Sequence, residues 1–333
     1  MMPRVQAHII GGALRTCAGD DIATLAAAPA AQRFCTVPAP APWHVYPAAA
    51  HGVGTITSAL TRTPHDRILR RLALHGYHVA TAALQSVTLV GSPRVGLYVG
   101  IGGLRAQWDD LIPALKQQQP DFVDGWQRGL KQLHPFWMLQ HLSNNTHALL
   151  SKDLGARGEG FTFGGSNAGA QALEAAIAGL ACGANDVAIV LAYDSLLEPE
   201  LLLQPTVAGF PSEAAAAVVL TATAPAHGSL PLLEARTAAD ASDGAPTSAT
   251  LANALAGLHV GASDAIDAPR LHWPTATHDT AATIGDVGAA MAVTQTLLWA
   301  HRYANGTAAT DATLCLSLGS PGLAGAVRIS RKP

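Results

Sequence analysis

The feature that most constrains the fold is a unit of a helix followed by a strand, which the sequence contains twice. In the first unit, apolar residues recur at three- and four-residue steps over residues 167–182, and Gly183 then offers a left-handed C-cap. The run from Val187 to Ala192 is apolar on successive residues, which is typical of a strand covered on both faces. These patterns predict a buried helix and a central strand.

A second helix of the same kind is predicted from Ile284 to Leu298, and it precedes a predicted strand from Leu314 to Leu318. Between the two units, the stretch 221–250 is rich in Ala, Ser, Thr, Pro and Gly, as connecting segments tend to be. We therefore expect two halves, residues 1–225 and a shortened half, residues 226–333.

Strand-like runs rich in Val, Ile and Leu recur along the chain, with helical stretches between most of them. The runs are VQAHII, VGLYVGI, DVAIVLAYD, AAAAVVLTA, LPLLEA, LCLSLG and GAVRIS. Such an alternation of strands and helices predicts the α/β class.

Composition excludes several classes of protein. Hydrophobic residues make up 49% and charged residues 13%, which favours a folded chain with a large core over a disordered one. The formal charge of -3 provides no basic field for nucleic acid. No apolar stretch has the length of a membrane span, and no secretory signal is recognisable at the N-terminus. We expect a cytoplasmic protein.

Cysteines, histidines and aromatic residues point to structure rather than to metal chemistry. We expect no metal site, because His75 and His78 have no HExxH motif or Cys/His cluster beside them. Phe136, Trp137 and Trp299 fall in apolar helical stretches and are expected in the core. Free thiols are expected at the four cysteines, because they show no CxxC spacing. They are Cys17, Cys35, Cys182 and Cys315.

The segment 134–195 combines several features in a specific order. It begins HPFWMLQHLSNN, continues as GEGFTFGGSNAGAQ and ends GANDVAIVLAYDS. This order of a helix, a strand, a small-residue turn, a second helix and a core strand resembles the nucleophile-bearing region of β-ketoacyl synthases. GFPSEAAAAVVL, GDVGAAMAV and LSLGSPGLAGAVRI are similar to later segments of the same family. The resemblance covers nearly the whole chain and is weakest between residues 225 and 280.

The resemblance implies a thiolase-like fold, in which two similar halves pack as αβαβα layers and subunits dimerise through a sheet edge. Enzymes of this family hold the acyl chain on a cysteine thiolate at a helix N-terminus, where the helix dipole lowers the pKa of the thiol. The matching position here is Asn167, whose amide cannot form a thioester. We therefore expect no condensation by this chain alone, and whether it is an enzyme at all stays open.

The family also uses two histidines as hydrogen-bond donors to the reacting carbonyl. His272 in RLHWPT is the candidate for the first, whereas Gly285 or Asp286 stands at the second. In the last glycine turn, Pro321 would remove a backbone N–H from the oxyanion hole. These departures all remove donors from the expected reaction site.

Together the departures make the chain similar to chain-length factors, the cysteine-less partners of ketosynthases in type II polyketide and aryl-polyene systems. The resemblance implies an active ketosynthase as heterodimer partner, or a second copy in a homodimer. It also implies an acyl carrier protein, whose phosphopantetheine carries the acyl chain, and no other cofactor. The candidates for lining the acyl tunnel are Phe163, Phe210, Gly319 and Ser320.

Other interpretations of the GGSN turn stay open. Ser166 loosely resembles the nucleophile elbow of acyl hydrolases and acyltransferases, with His272, His278 or His301 as the base. A malonyl-carrier decarboxylase would use the amide of Asn167 and the amides of the turn to stabilise an enolate. The simplest interpretation is that Ser166 or Asn167 caps the following helix.

Overall fold

A computed structural model provides the structure of this chain. It describes residues 6–29, 32–34, 52–102, 129, 131–197, 210–223, 231–239, 248–256, 258–268, 273, 275–319 and 322–331. Four residues discussed above, Cys35, His272, Ser320 and Pro321, lie outside these ranges.

The described strands are β1 (Ala7–Arg15), β2 (Val95–Ile101), β3 (Phe161–Gly164), β4 (Val187–Ser195), β5 (Glu213–Thr221), β6 (Leu232–Ala239), β7 (Ala265–Asp267), β8 (Ala312–Gly319) and β9 (Leu323–Ser330). They form one mixed sheet of nine strands in the order β3-β2-β4-β5-β1-β6-β9-β8-β7. Seven of the strands overlap the runs that the sequence predicts, β3 overlaps GEGFTF, and the short β7 was not predicted.

The same pairing pattern occurs in both parts of the sheet. β2 is parallel to β4, β4 is antiparallel to β5, and β5 is antiparallel to β1. Likewise β7 is parallel to β8, β8 is antiparallel to β9, and β9 is antiparallel to β6. The two parts join where β1 pairs with β6, through Ala7–Leu233 and His8–Leu232. The chain therefore has two similar halves, whereas their boundary near residue 225 stays a prediction.

Helices form three layers around the two parts of the sheet. α5 (Ala168–Ala181) contacts β2 and β4 as well as β6, and α8 (Met291–Ala304) contacts β5 as well as β8 and β9. α2 (Arg71–Gln85) packs on β1, β4 and β5, and α6 (Ser248–Leu255) packs on β6 and β9. The predicted αβαβα arrangement is confirmed. The helices are α1 (Ile22–Ala27), α2 (Arg71–Gln85), α3 (Trp137–Gln140), α4 (Asn145–Asp153), α5 (Ala168–Ala181), α6 (Ser248–Leu255), α7 (Thr280–Ile284) and α8 (Met291–Ala304).

The first helix-and-strand unit forms as its sequence pattern predicts. α5 ends before Gly183, which adopts a φ of 75° and donates its N–H to the carbonyl of Leu180. All residues from Val187 to Ala192 are at most 6% exposed, and their strand lies between β2 and β5. Helices cover both faces of this strand, which explains why its apolar residues do not alternate with polar ones.

The second predicted helix, from Ile284 to Leu298, is wrong in one respect. The chain leaves the helix at Gly285, whose φ is 82°, and makes a short 3-10 turn at residues 288–290 before α8 begins. The buried carboxyl group of Asp194 accepts the N–H of Ala289 at 2.9 Å. This break depends on a tertiary contact, so the spacing of apolar residues could not indicate it.

Several expectations about individual side chains can also be compared with the structure. Trp299 is buried, as predicted. Phe136, just before α3, is 39% exposed, and Trp137 is only half-buried, so the assignment of these two residues to the core is wrong. The described cysteines, Cys17, Cys182 and Cys315, are free thiols, as predicted. Within the described residues, no helix is long and apolar enough to cross a membrane, and no His, Cys, Asp and Glu cluster could hold a metal ion.

Candidate functional site

The turn between β3 and α5 places Ser166 and Asn167 at the start of a buried helix. Gly165 adopts a φ of 115°, and its N–H donates to the carbonyl of Ile101 at the end of β2 at 2.9 Å. The turn is therefore fixed to the end of a neighbouring parallel strand, a location where α/β proteins commonly bind ligands.

The side chain of Asn167 connects the two halves of the chain. It is 2% exposed, and its Oδ1 accepts a hydrogen bond from Oγ of Ser317 on β8 at 2.7 Å. A Cβ added at Gly325 on β9 would lie 2.9 Å from Nδ2. The amide makes no capping hydrogen bond with α5, although Asn167 occupies the N-cap position. The interpretation of this side chain as a helix cap is therefore wrong.

The end of β8 approaches the same turn closely. A Cβ added at Gly319 would lie 2.6 Å from Oγ of Ser166 and 3.2 Å from the backbone nitrogen of Asn167. Glycine is required there because any side chain would press on the turn. The structure thus brings together Ser166, Asn167 and Gly319, three of the predicted site residues, whereas Ser320 and His272 lie outside the described residues.

Gly285 and Asp286 are the residues expected at the position of the second family histidine. They lie in the break between α7 and α8. A Cβ added at Gly285 would lie 2.5 Å from the carbonyl oxygen of Phe210, so no imidazole fits at this position. Asp286 is 8% exposed, and its Oδ1 accepts the N–H of Gly288 at 2.9 Å. A carboxyl group that turns back onto its own loop therefore occupies this segment, in place of an imidazole donor.

The first turn of α5 and the 3-10 turn that precedes α8 pack side by side. A Cβ added at Gly169, in the first turn of α5, would lie 2.2 Å from the carbonyl oxygen of Ala289 in the 3-10 turn. The backbone of α5 is therefore in direct contact with the turn that precedes α8. This contact places the Asn167 turn and the Asp286 loop at the same junction of the two halves.

The two predicted tunnel phenylalanines lie in different surroundings. Phe163 is half-buried and borders a groove of about 620 Å³ between α5 and β6, which also contains Glu174 and Cys182. Phe210 is 2% exposed and lies in the main core cluster, close to Gly285. It does not line the groove that Phe163 borders.

None of the described thiols lies in the Asn167 turn. Cys17 is buried and donates its S–H to the carbonyl of Ile284 at 3.2 Å. Burial raises the pKa of Cys315 well above its ordinary value. Cys182 follows the last residue of α5, so the whole helix, about 20 Å long, separates it from the turn. In the described part of the chain, no cysteine therefore provides a thiolate at this turn.

Sequence reasoning missed Ser317 as the partner of Asn167, because the two residues are far apart in the chain and share no motif. Ser317→Ala is expected to lower the free energy of unfolding by about 1 to 2 kcal/mol, since Oδ1 of the buried amide loses its donor. Asn167→Leu should cost a similar amount, because it leaves the serine hydroxyl without its acceptor.

A double-mutant cycle measured by urea denaturation checks this contact. The loss in the double variant should be smaller than the sum of the single losses by about 1 kcal/mol. Ser263→Ala, at an exposed serine, is the control and should change stability by less than about 0.5 kcal/mol. Additive losses at Asn167 and Ser317 would contradict the coupling.

A scan of the sequence against protein-family models gives no match, and a search of curated proteins gives none either. Solved structures, however, match over nearly the whole chain. One contains a type II polyketide acyl-carrier protein in complex with its ketosynthase, AntDE:AntF. It aligns with a TM-score of 0.70 and 16% identity, over 98% of this chain and 99% of the other.

Two further structures agree with this match. The ishigamide ketosynthase/chain length factor aligns with a TM-score of 0.69 and 19% identity, over 98% of this chain and 100% of the other. A β-ketoacyl synthase from Burkholderia phymatum aligns with a TM-score of 0.65 and 16% identity, over 98% and 100% of the two chains. The chain therefore has the thiolase-like fold of β-ketoacyl synthases, as the sequence predicted.

Proposed function

We propose that this chain is a non-condensing ketosynthase homologue that acts as a chain-length-factor-like partner of an active ketosynthase, in type II fatty acid or polyketide biosynthesis. The observation that carries the proposal is Asn167. Its amide stands at the start of the buried helix α5, in the strand-turn-helix position of the family nucleophile, and is hydrogen-bonded to Ser317.

The surroundings of Asn167 support a role without covalent catalysis. An amide cannot carry an acyl chain, and a thiol elsewhere could not substitute for it without lying in the turn. The Asp286 loop offers a carboxyl group, which accepts hydrogen bonds and would repel the oxyanion that forms during condensation. The chain therefore needs a second subunit that contains the nucleophile.

The β3 edge of the sheet is suited to contact with such a subunit. β3 is the terminal strand of the nine-stranded sheet, and its Phe161 is 53% exposed. A strand edge with an exposed aromatic side chain can be extended by a strand of another chain. An active ketosynthase would occupy this edge in a heterodimer, and a second copy would occupy it in a homodimer.

The substrate in this proposal is an acyl chain on the phosphopantetheine of a carrier protein. The AntDE:AntF structure contains an acyl-carrier protein in complex with its ketosynthase, which is consistent with such a partner. Phe163, Phe210, Gly319 and Ser320 remain the proposed tunnel residues. The decarboxylase interpretation with Asn167 and the hydrolase or acyltransferase interpretation with Ser166 stay predictions, and the experiment below separates the decarboxylase from the partner subunit.

The proposal predicts a required heterodimer. The purified chain is mixed with a cysteine-bearing ketosynthase from the same genome and with acyl and malonyl carrier proteins. We expect the two subunits to co-elute and to elongate the acyl chain together, whereas this chain alone forms no condensation product. Phe161→Asp should abolish co-elution, because it places a charge at the paired edge. Size-exclusion chromatography and mass spectrometry of the carrier-bound products are the measurements.

Val90→Asp is the matched control, because Val90 is a 90% exposed apolar residue in the loop between α2 and β2, outside β3, and this variant should co-elute normally. Absence of association, or elongation that proceeds equally without this chain, would refute the partner proposal. Turnover of malonyl carrier protein by this chain alone, lost in Asn167→Ala, would show a decarboxylase instead.

A further inference from the structure

A small cavity lies between α1, α7 and α8, apart from the Asn167 turn. Its volume is about 190 Å³, and none of Ser166, Asn167 and Gly319 lines it. Leucine and alanine side chains form one part of its wall, and polar side chains form the rest. The polar lining includes His278, Asp279, Thr283 and Arg302.

Arg302 is the residue that points to a ligand. Its guanidinium lies 4.6 Å from the centre of the Trp299 ring and donates one hydrogen bond, at 3.3 Å, to the carbonyl of Ala26. Within the described residues it forms no ion pair. A guanidinium carries five N–H donors, so most of this donor capacity remains available beside the cavity.

The charge of Arg302 is only partly balanced by the protein. Burial lowers the pKa of Arg302, and the carboxylate of Asp267 opposes this effect. Asp267 itself is fully buried and accepts hydrogen bonds from Thr280 and Trp299. An anionic group in the cavity would balance the charge of the guanidinium and accept its hydrogen bonds. Arginine binds carboxylates through two parallel hydrogen bonds.

Another part of the lining accepts hydrogen bonds. Asp279 is the N-cap of α7, and its Oδ1 accepts the N–H of Ala282 at 3.0 Å. Thr283 adds a hydroxyl group one turn further along the helix. Since a carboxyl group and an arginine line the same small space, a ligand that carries both an anionic group and a hydrogen-bond donor is complementary to it.

We propose that this cavity binds a small carboxylic acid that also carries an amino or hydroxyl group. Arg302 donates to the carboxylate of the ligand, and Asp279 and Thr283 accept from its amino or hydroxyl group. The volume suits about six to eight non-hydrogen atoms, because a cavity of about 150 Å³ holds benzene. Alanine, serine and lactate are in this range. Inorganic phosphate is less suited, because Asp279 and Asp267 repel a doubly charged anion.

Isothermal titration calorimetry of the purified chain with L-alanine, L-serine, lactate and inorganic phosphate tests the site. We expect saturable binding of at least one of the three acids and weaker binding of phosphate. Arg302→Met should abolish binding, and Arg302→Lys should weaken it by at least about tenfold, because lysine keeps the charge but loses the paired donors. The proposal does not depend on the proposed function.

Arg331→Met is the matched control, because Arg331 also stacks on an aromatic ring of α8, at 5.7 Å from the centre of Tyr303. It should bind the acid as the unchanged chain does. Circular dichroism verifies that each variant is folded. If Arg302→Met does not fold, Arg302→Lys still provides the test. The proposal is overturned if no acid binds at concentrations up to about 10 mM. Binding of phosphate alone, or binding that both Arg302 variants retain, also overturns it.

Discussion

Asp267→Ala is expected to lower the free energy of unfolding by about 3 to 5 kcal/mol, measured by urea denaturation. The carboxyl group is fully buried, and its Oδ1 accepts the backbone N–H of Thr280 at 3.0 Å. Its Oδ2 accepts the hydroxyl of Thr280 at 2.6 Å and Nε1 of Trp299 at 2.8 Å. Alanine leaves these three buried donors without an acceptor and opens a small void.

Two further variants define the cause of this loss. Asp311→Ala removes an exposed carboxyl group and should change stability by less than about 0.5 kcal/mol. Asp267→Asn keeps one oxygen acceptor, so its loss of stability should be smaller than that of Asp267→Ala and larger than that of Asp311→Ala. Equal stability of Asp267→Ala and Asp311→Ala would show that the buried hydrogen bonds contribute nothing.

The expected loss matters for the candidate site because Asp267 links three elements. It belongs to β7, whereas Thr280 begins α7 and Trp299 lies in α8. The loop that contains Asp286 connects these two helices. A carboxyl group outside the site therefore fixes both ends of the segment that contains Asp286.

Much of the fold could be predicted because it depends on local patterns. The helix over residues 167–182 and the strand from Val187 to Ala192 have patterns of apolar residues that reflect burial on one face or on both faces. The exposed Phe136 and the break at Gly285 could not be predicted in this way. Exposure of an apolar helix and a change of backbone direction both depend on what packs against the segment. The spacing of residues along the chain carries no information about this packing.

In the candidate site, too, local features could be predicted and tertiary contacts could not. The position of Asn167 could be predicted because a strand, a small-residue turn and a helix are consecutive in the sequence. Its bond with Ser317 could not be, because β8 reaches α5 only when the two halves pack together. Gly319 was predicted on resemblance alone, and the physical reason for this glycine, close contact with Ser166, emerges from the packing.

Buried polar contacts hold the junction of the two halves together. Asn167 is hydrogen-bonded across the junction, and Asp194 holds the turn that precedes α8 through the N–H of Ala289. Polar side chains that are buried and satisfied specify one arrangement of the elements that they join. The buried amide of Asn167 therefore contributes to the packing of the two halves against each other.

Gly169→Ala is the second substitution with a large expected effect. In an ordinary helix, alanine in place of glycine stabilises by about 1 kcal/mol. Here the added Cβ would lie 2.2 Å from the carbonyl oxygen of Ala289 and 3.1 Å from Cβ of Ala192. We expect the sign to reverse, with a loss of about 2 to 3 kcal/mol, because overpacking at this contact exceeds the gain in helix propensity.

The loss should be large because neither partner of the clash can move freely. Ala289 is held by the bond from its N–H to Asp194, and Ala192 lies in the central strand β4. Gly164→Ala is the control, since no atom lies within 4 Å of a Cβ added there, and it should stay within about 0.5 kcal/mol of the unchanged chain. Urea denaturation of both variants decides the question. If Gly169→Ala is as stable as the unchanged chain or more stable, α5 and the turn before α8 are not in direct backbone contact.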